Sequence, residues 1–203
     1  SMEGTSPPLK EISELCARYS ASIFVDEAHA LGVMGSQGRG LCFGLSDPIK
    51  MISGTFGKAF GSGGAFLATS KKIGDKLIQT SGAFRYTTAL APPLAGAALA
   101  ALKLIIRNPN WGLELQKQAI NWRKSISLNG WDYPPGDGPI ISLILGSDQQ
   151  AIAYQTHLET NGLLSIAIRP PTVPEGTSRL RVVTSRNLPA ESLPKLIACI
   201  STK

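Results

Sequence analysis

Two short blocks hold the residues whose types and spacing could do chemistry. The first is Asp26-Glu27-Ala28-His29, an acid and an imidazole three positions apart at the end of an apolar run. The second is Ser53-Gly54-Thr55-Phe56-Gly57-Lys58-Ala59-Phe60-Gly61, in which a lysine stands among small residues just after another apolar run. A carboxylate, an imidazole and a primary amine are the usual materials of proton transfer and nucleophilic attack. Gly54, Gly57 and Gly61 allow the backbone to approach a bulky ligand closely.

Each residue also has a plainer reading on its own. Asp26 suits a helix cap, His29 a satisfied core histidine, and Lys58 a solvated loop. Glu27 reads as structural or solvent-facing. D-E-A-H alone also matches the magnesium-binding motif of nucleic-acid helicases, but that chemistry needs a preceding phosphate loop of the form G-x-x-x-x-G-K-[ST]. The nearest candidate, Gly57-Lys58, follows the acidic motif. It lacks the first glycine of that loop and has Ala59 where a hydroxyl must hold the metal.

The elements that must position these blocks are legible from periodicity. Leu9 to Tyr19 reads as a helix. Ser22 to Val25 is too short for a helix and reads as a buried parallel strand ending at Asp26, where polar side chains reach the ligand crevice of an open α/β sheet. Gly32 to Gly44 reads as a loop, Ile49 to Gly54 and Gly63 to Ala68 as strands, Ser70 to Thr80 as a helix. Pro92 to Ile106 reads as a long buried or amphipathic helix, because Pro92-Pro93, Gly96 and Lys103 argue against a membrane span. Asn108-Pro109-Asn110 breaks the pattern, giving domains at 1–107 and 108–203.

Beyond the break, Trp111 to Leu128, Asp148 to Asn161 and Leu193 to Ile200 read as helices. Gly162 suits a left-handed cap. Ile140 to Leu145, Ser165 to Ile168 and Arg179 to Val183 read as strands. Arg179 and Arg181 share a face of the last and read as structural, and His157 as an exposed helical residue. The alternation argues for an α/β class.

Composition fits a globular chain: 203 residues, 43% hydrophobic and 17% charged, with a formal charge of +6. The 20 basic residues are scattered, without interleaved aromatics, which argues against nucleic acid. Cys16, Cys42 and Cys199 form no metal-ligand or disulfide pattern, and no metal site is expected. With no basic-then-apolar leader visible, a cytoplasmic location is expected.

Together the two blocks resemble fold-type-I pyridoxal-phosphate (PLP) enzymes, and specifically the α-oxoamine synthase family. Further segments are similar: Ser1-Met2-Glu3-Gly4 with Pro8-Leu9, the glycine loop Gly32-Val33 to Gly38-Arg39-Gly40, Phe84-Arg85-Tyr86-Thr87-Thr88 with Pro92-Pro93, and Ile168-Arg169-Pro170-Pro171-Thr172-Val173-Pro174 followed by Gly176-Thr177 and Arg179-Leu180-Arg181. The resemblance implies the C-terminal part of the PLP-binding large domain plus a small C-terminal α/β domain. By residue, it implies Lys58 as the cofactor-bearing lysine, Asp26 on the pyridine nitrogen and His29 beside the phenolic oxygen. Thr55 falls near the phosphate or aldehyde side, Ser1 near the cofactor, and Thr88 at the phosphate of a neighbouring subunit. Arg169 falls on the substrate carboxylate, a task its planar fork suits; alone it also reads as a surface ion pair.

The resemblance further implies small-molecule substrates, an amino acid and an acyl-CoA or acyl carrier protein, and a homodimer. The Arg-Pro-Pro-Thr-Val-Pro wording is most similar to the branch that joins L-alanine to a pimeloyl thioester for biotin. Other branches use glycine or serine with a different donor. Phe56 and Phe60 replace leucines common in the lysine motif, and Thr184-Ser185-Arg186-Asn187 lacks a histidine often seen there. Members of the family are roughly twice this length. The expectation is therefore that these residues form part of a longer enzyme and alone are inactive or poorly folded.

Overall fold

The computed structural model describes residues 1–45 and 48–201. The chain divides into two compact units, residues 7–113 and residues 1–6 with 114–203. The expected boundary after residue 107 differs from this division in two ways: residues 108–113 go with the first unit, and residues 1–6 go with the second.

The first unit begins with α1 (Leu9–Arg18), which leads into β1 (Ile23–Asp26), β2 (Ile49–Thr55) and β3 (Ala65–Thr69). The sheet order is β1-β2-β3. β1 and β2 are parallel and in register at Asp26 and Ser53, while β3 returns antiparallel, with Thr55 opposite Ala65. Helices α2 (Lys71–Thr80), α3 (Gly82–Arg85) and α4 (Pro92–Arg107) follow. Ser70 caps α2 by accepting from the Ile73 amide at 3.4 Å, satisfying a donor that the helix cannot pair itself.

Two expectations about burial are corrected here. β1 was expected to be buried, but Phe24 is 57% exposed. In this three-stranded sheet β1 is an edge strand, and nothing among the described residues covers that side chain. The long helix α4 was expected to be buried or amphipathic. Only Ala98 is buried along it, and Leu99, Leu102, Leu104 and Ile106 are all exposed.

In the second unit, α5 (Trp111–Leu128, whose first three residues fall in the first unit), α6 (Asp148–Thr160) and α7 (Ser192–Ile200) pack on one face of an antiparallel sheet of order β4-β6-β5. Its strands are β4 (Ile140–Gly146), β5 (Ile166–Ile168) and β6 (Ser178–Val183). The period-2 alternation of a strand decides the faces. The register pairs Ile141–Val182 and Leu143–Leu180 point into a core with Trp122, Ile126, Leu158 and Ile200. Ser142–Arg181 and Ile144–Arg179 point the other way.

The N-terminal residues are tied to this unit. The Glu3 carboxylate pairs with Arg179, the Ser1 carbonyl accepts from Arg181 Nε at 3.0 Å, and the Gly4 carbonyl accepts from the Asp137 amide at 3.2 Å. Arg123 is fully buried and donates to three carbonyls, Pro135 at 3.1 Å, Gly138 at 2.9 Å and Ile140 at 2.6 Å. Burial lowers its pKa. α6 starts at a Ser147 cap and ends at Gly162, whose φ of +72° makes the left-handed turn expected of it. No helix among the described residues is long and apolar enough to cross a membrane.

Candidate functional site

Asp26, His29, Thr55 and Lys58 follow the carboxyl ends of β1 and β2. Asp26 closes β1 opposite Ser53, and Thr55 closes β2 two residues later. Because the two strands are parallel, the loops leaving both emerge at the same end of the sheet, which is where open α/β sheets bind ligands. Asp26 is exposed, and its Oδ1 accepts from the Ala28 amide at 2.8 Å, turning the chain sharply after the strand. His29 sits half-buried in that turn.

Lys58 is exposed, on a loop held from both sides. Thr55 Oγ1 accepts from the Gly57 amide and donates to the Gly64 carbonyl, both at 3.1 Å. The Phe56 amide donates to the Gly64 carbonyl at 2.9 Å, and the Ser62 amide to the Phe56 carbonyl at 2.8 Å. Ser62 Oγ then donates to the Leu94 carbonyl of α4 at 2.7 Å. Phe56 meets Phe60 edge-on at 5.5 Å between ring centroids and Phe66 at 5.4 Å. The two phenylalanines thus brace the lysine loop, and such ring pairs add stability beyond their buried area.

Glu27, read from sequence as structural or solvent-facing, is structural: it is 2% exposed and its carboxylate accepts from the Leu41 and Cys42 amides. Burial first, then the hydrogen bond and negative charge of Glu27, push the Cys42 thiol up to about 12. That thiol is inert at neutral pH. No sequence signal marked this contact, apart from the glycine-dense loop that Glu27 holds.

The remaining sequence-predicted residues lie elsewhere. Thr88 is exposed in the link between α3 and α4. Ser1 and Arg169 belong to the second unit, Arg169 exposed just after β5, where its carbonyl accepts from the Thr172 amide at 3.0 Å. The donor set of the first unit suits a ring cofactor bearing an aldehyde. It offers an exposed primary amine to condense with the carbonyl, and a carboxylate one strand away to hold a protonated ring nitrogen.

Residues 1–200 match the family described as Aminotransferase class I and II. The chain belongs to that family. Among curated relatives, proteins named 8-amino-7-oxononanoate synthase are similar over nearly all of it. The protein of Anaeromyxobacter dehalogenans strain 2CP-1 is 38% identical over 99% of this chain and 51% of its own length. That of Nitrosospira multiformis is 40% identical over 98% and 51%. The chain thus spans about half the length of these relatives.

Among solved structures, 8-amino-7-oxononanoate synthase from Francisella tularensis aligns with a TM-score of 0.81 at 28% identity, covering 95% of this chain and 57% of that one. A Sphingomonas wittichii serine palmitoyltransferase aligns at 0.90 with 25% identity, covering 99% and 51%. The fold is that of the fold-type-I enzymes of this family, as the resemblance implied.

Proposed function

We propose that this chain is part of an α-oxoamine synthase, a PLP-dependent acyltransferase, and that Lys58 carries the cofactor. The observation that supports this most directly is the placement of the Lys58 loop and Asp26 at the carboxyl ends of the paired parallel strands β1 and β2. PLP, when bound, supplies an aldehyde that takes up amines and a protonated ring that accepts electrons. Asp26 keeps the ring nitrogen protonated. Lys58 would hold the cofactor through its amine and would move the substrate's α-proton. Thr55 would lie near the phosphate or aldehyde side of the cofactor, and Thr88 would reach the phosphate of a second subunit in a homodimer. Arg169 would bind the substrate carboxylate, and His29 would lie beside the cofactor's phenolic oxygen.

The finer reading is L-alanine joined to a pimeloyl thioester, on coenzyme A or a carrier protein, to give 8-amino-7-oxononanoate. The identity of about 40% to relatives of that name supports it. A second reading, serine or glycine with another acyl donor, is favoured by the backbone match to serine palmitoyltransferase.

The test is to incubate the intact polypeptide with PLP, reduce with borohydride, and map the modified peptide. Adduct on Lys58 alone is expected. Adduct spread over Lys71 and Lys72, or none, overturns the assignment. Product identification from matched amino acids and acyl thioesters then separates the two readings.

A further inference from the structure

The buried carboxylate of Glu27 and the glycine loop after it are not used by the proposed reaction. We propose that Glu27 is a positioning residue, which holds the Gly32–Cys42 loop as the wall against which the Lys58 loop rests. This deepens the reading of Lys58 as the cofactor-bearing amine and rests on it.

Glu27 is tied at every polar group. Its amide donates to the Ser53 carbonyl at 2.8 Å, on the strand that leads to Lys58. Its carbonyl accepts from the Ala30 amide at 2.9 Å and the Leu31 amide at 3.0 Å. Its Oε1 accepts from the Cys42 amide at 2.5 Å and its Oε2 from the Leu41 amide at 3.0 Å. One side chain therefore joins the start of the loop to its end, fourteen and fifteen residues on.

The loop lies directly on the carboxylate. A Cβ at Gly40, where φ is +88°, would stand 2.9 Å from the carboxyl atoms, so a side chain there would displace the clamp. From Gly40 the ties run inward. The Gly40 amide donates to the Met34 carbonyl at 3.0 Å, and the Gly32 amide to the Gly38 carbonyl at 2.7 Å.

Gly32 is the point of delivery. A Cβ built on it would lie 2.7 Å from the Cβ of Ala59, the residue next to Lys58. The path from carboxylate to lysine is thus continuous: Glu27, the Leu41 and Cys42 amides, Gly40, Met34 and Gly38, Gly32, Ala59. The tip of the loop, Gly35 to Gln37, is exposed. Without the carboxylate, two backbone donors lose their acceptors and the wall at Ala59 is free to shift.

The variant E27Q tests this in the intact polypeptide. Glutamine keeps the shape but offers one oxygen to two amides and turns an NH2 toward one of them. Without cofactor, exchange of the Leu41 and Cys42 amide protons is expected to accelerate about tenfold, and tryptic cleavage after exposed Arg39 to rise with it. With PLP and borohydride, the ratio of adduct on Lys58 to adduct on exposed Lys72 is expected to fall about tenfold while far-UV circular dichroism is unchanged.

G32A provides a second route that leaves Glu27 intact. It drives a methyl into Ala59 and should lower the same ratio, and the double variant G32A/A59G should recover a measurable part of it. Faster exchange at Leu41 and Cys42 with an unchanged Lys58 ratio overturns the positioning role, as does failure of A59G to relieve G32A. Absence of Lys58 adduct in the wild type sinks the cofactor reading and the positioning role with it, while amide exchange still judges the clamp itself.

Discussion

Replacing Arg123 by methionine removes the densest polar anchor of the second unit. The guanidinium is fully buried and donates to the carbonyls of Pro135, Gly138 and Ile140. Methionine has a similar length and would recover about 1–2 kcal/mol through apolar burial. Against this, three carbonyls lose a charged donor, and stranding a buried polar group costs about 1–3 kcal/mol. Even at the lower end of that range the three carbonyls together cost about 3 kcal/mol, so the loss wins by about 1–2 kcal/mol. Trp122 and Trp131 lie in the core of the same unit, so in a W111F background tryptophan fluorescence during urea unfolding reads this unit. With a slope of about 1.5 kcal/mol per molar, the midpoint should fall by about 1 M urea. R123K keeps the charge with fewer well-aimed donors and should fall between. An R123M midpoint at or above that of the wild type would refute the claim that satisfied carbonyls, rather than apolar packing, hold the 135–140 turn.

Four further outcomes are expected. K58A should abolish site-specific PLP adduct in borohydride trapping, leaving only adduct on surface lysines such as Lys72. Cys42 has its pKa raised from 9.0 to about 12, so its contribution is intact below pH 9 and lost as pH climbs from 9 toward 12, because the unfolded thiol ionises first. By pH 10.5 the wild type should have lost about 2 kcal/mol more than C42S in paired denaturant titrations; parallel curves would refute this. In G54A the new methyl would stand 2.5 Å from Phe66 and 2.6 Å from Leu31, so overpacking should cost about 1–3 kcal/mol and lower the thermal midpoint. Finally, the exposed apolar row of α4 should make the 203-residue polypeptide on its own bind a hydrophobic dye and self-associate in light scattering, and a monodisperse preparation that leaves the dye dark would refute it.

Much of the site was legible because its geometry follows from local rules. A short apolar run must be a strand, a polar residue at its carboxyl end must face the crevice, and the next such run places its loop beside the first. Asp26, Thr55 and Lys58 need nothing more than that, and the register Asp26–Ser53 delivers it. The end of α6 was legible for the same reason, since Gly162 acts on a carbonyl within a few residues of itself. Burial at β1 and α4 was not legible, because an apolar pattern states what a face prefers to cover and not whether a partner covers it. Phe24 and Leu99 satisfy the pattern of buried residues and are exposed.

Glu27 and Arg123 show the opposite case, charged side chains that the structure buries. Sequence rules send a lone carboxylate or guanidinium to solvent, because an uncompensated buried charge is costly. Both are buried because unpaired backbone groups distant in sequence converge on them: two amides fourteen and fifteen residues beyond Glu27, and three carbonyls twelve to seventeen residues beyond Arg123. These loops cannot pair their own backbone groups as a helix or strand would, so they borrow one long charged side chain to do it. A glycine-dense loop or a proline-glycine turn is thus a demand for such a side chain from elsewhere in the chain. The demand is visible in the sequence of Gly32–Gly40 and of Pro134–Pro139. Which residue meets it depends on where the strands and helices carry that side chain, and so becomes visible only once they are placed in space.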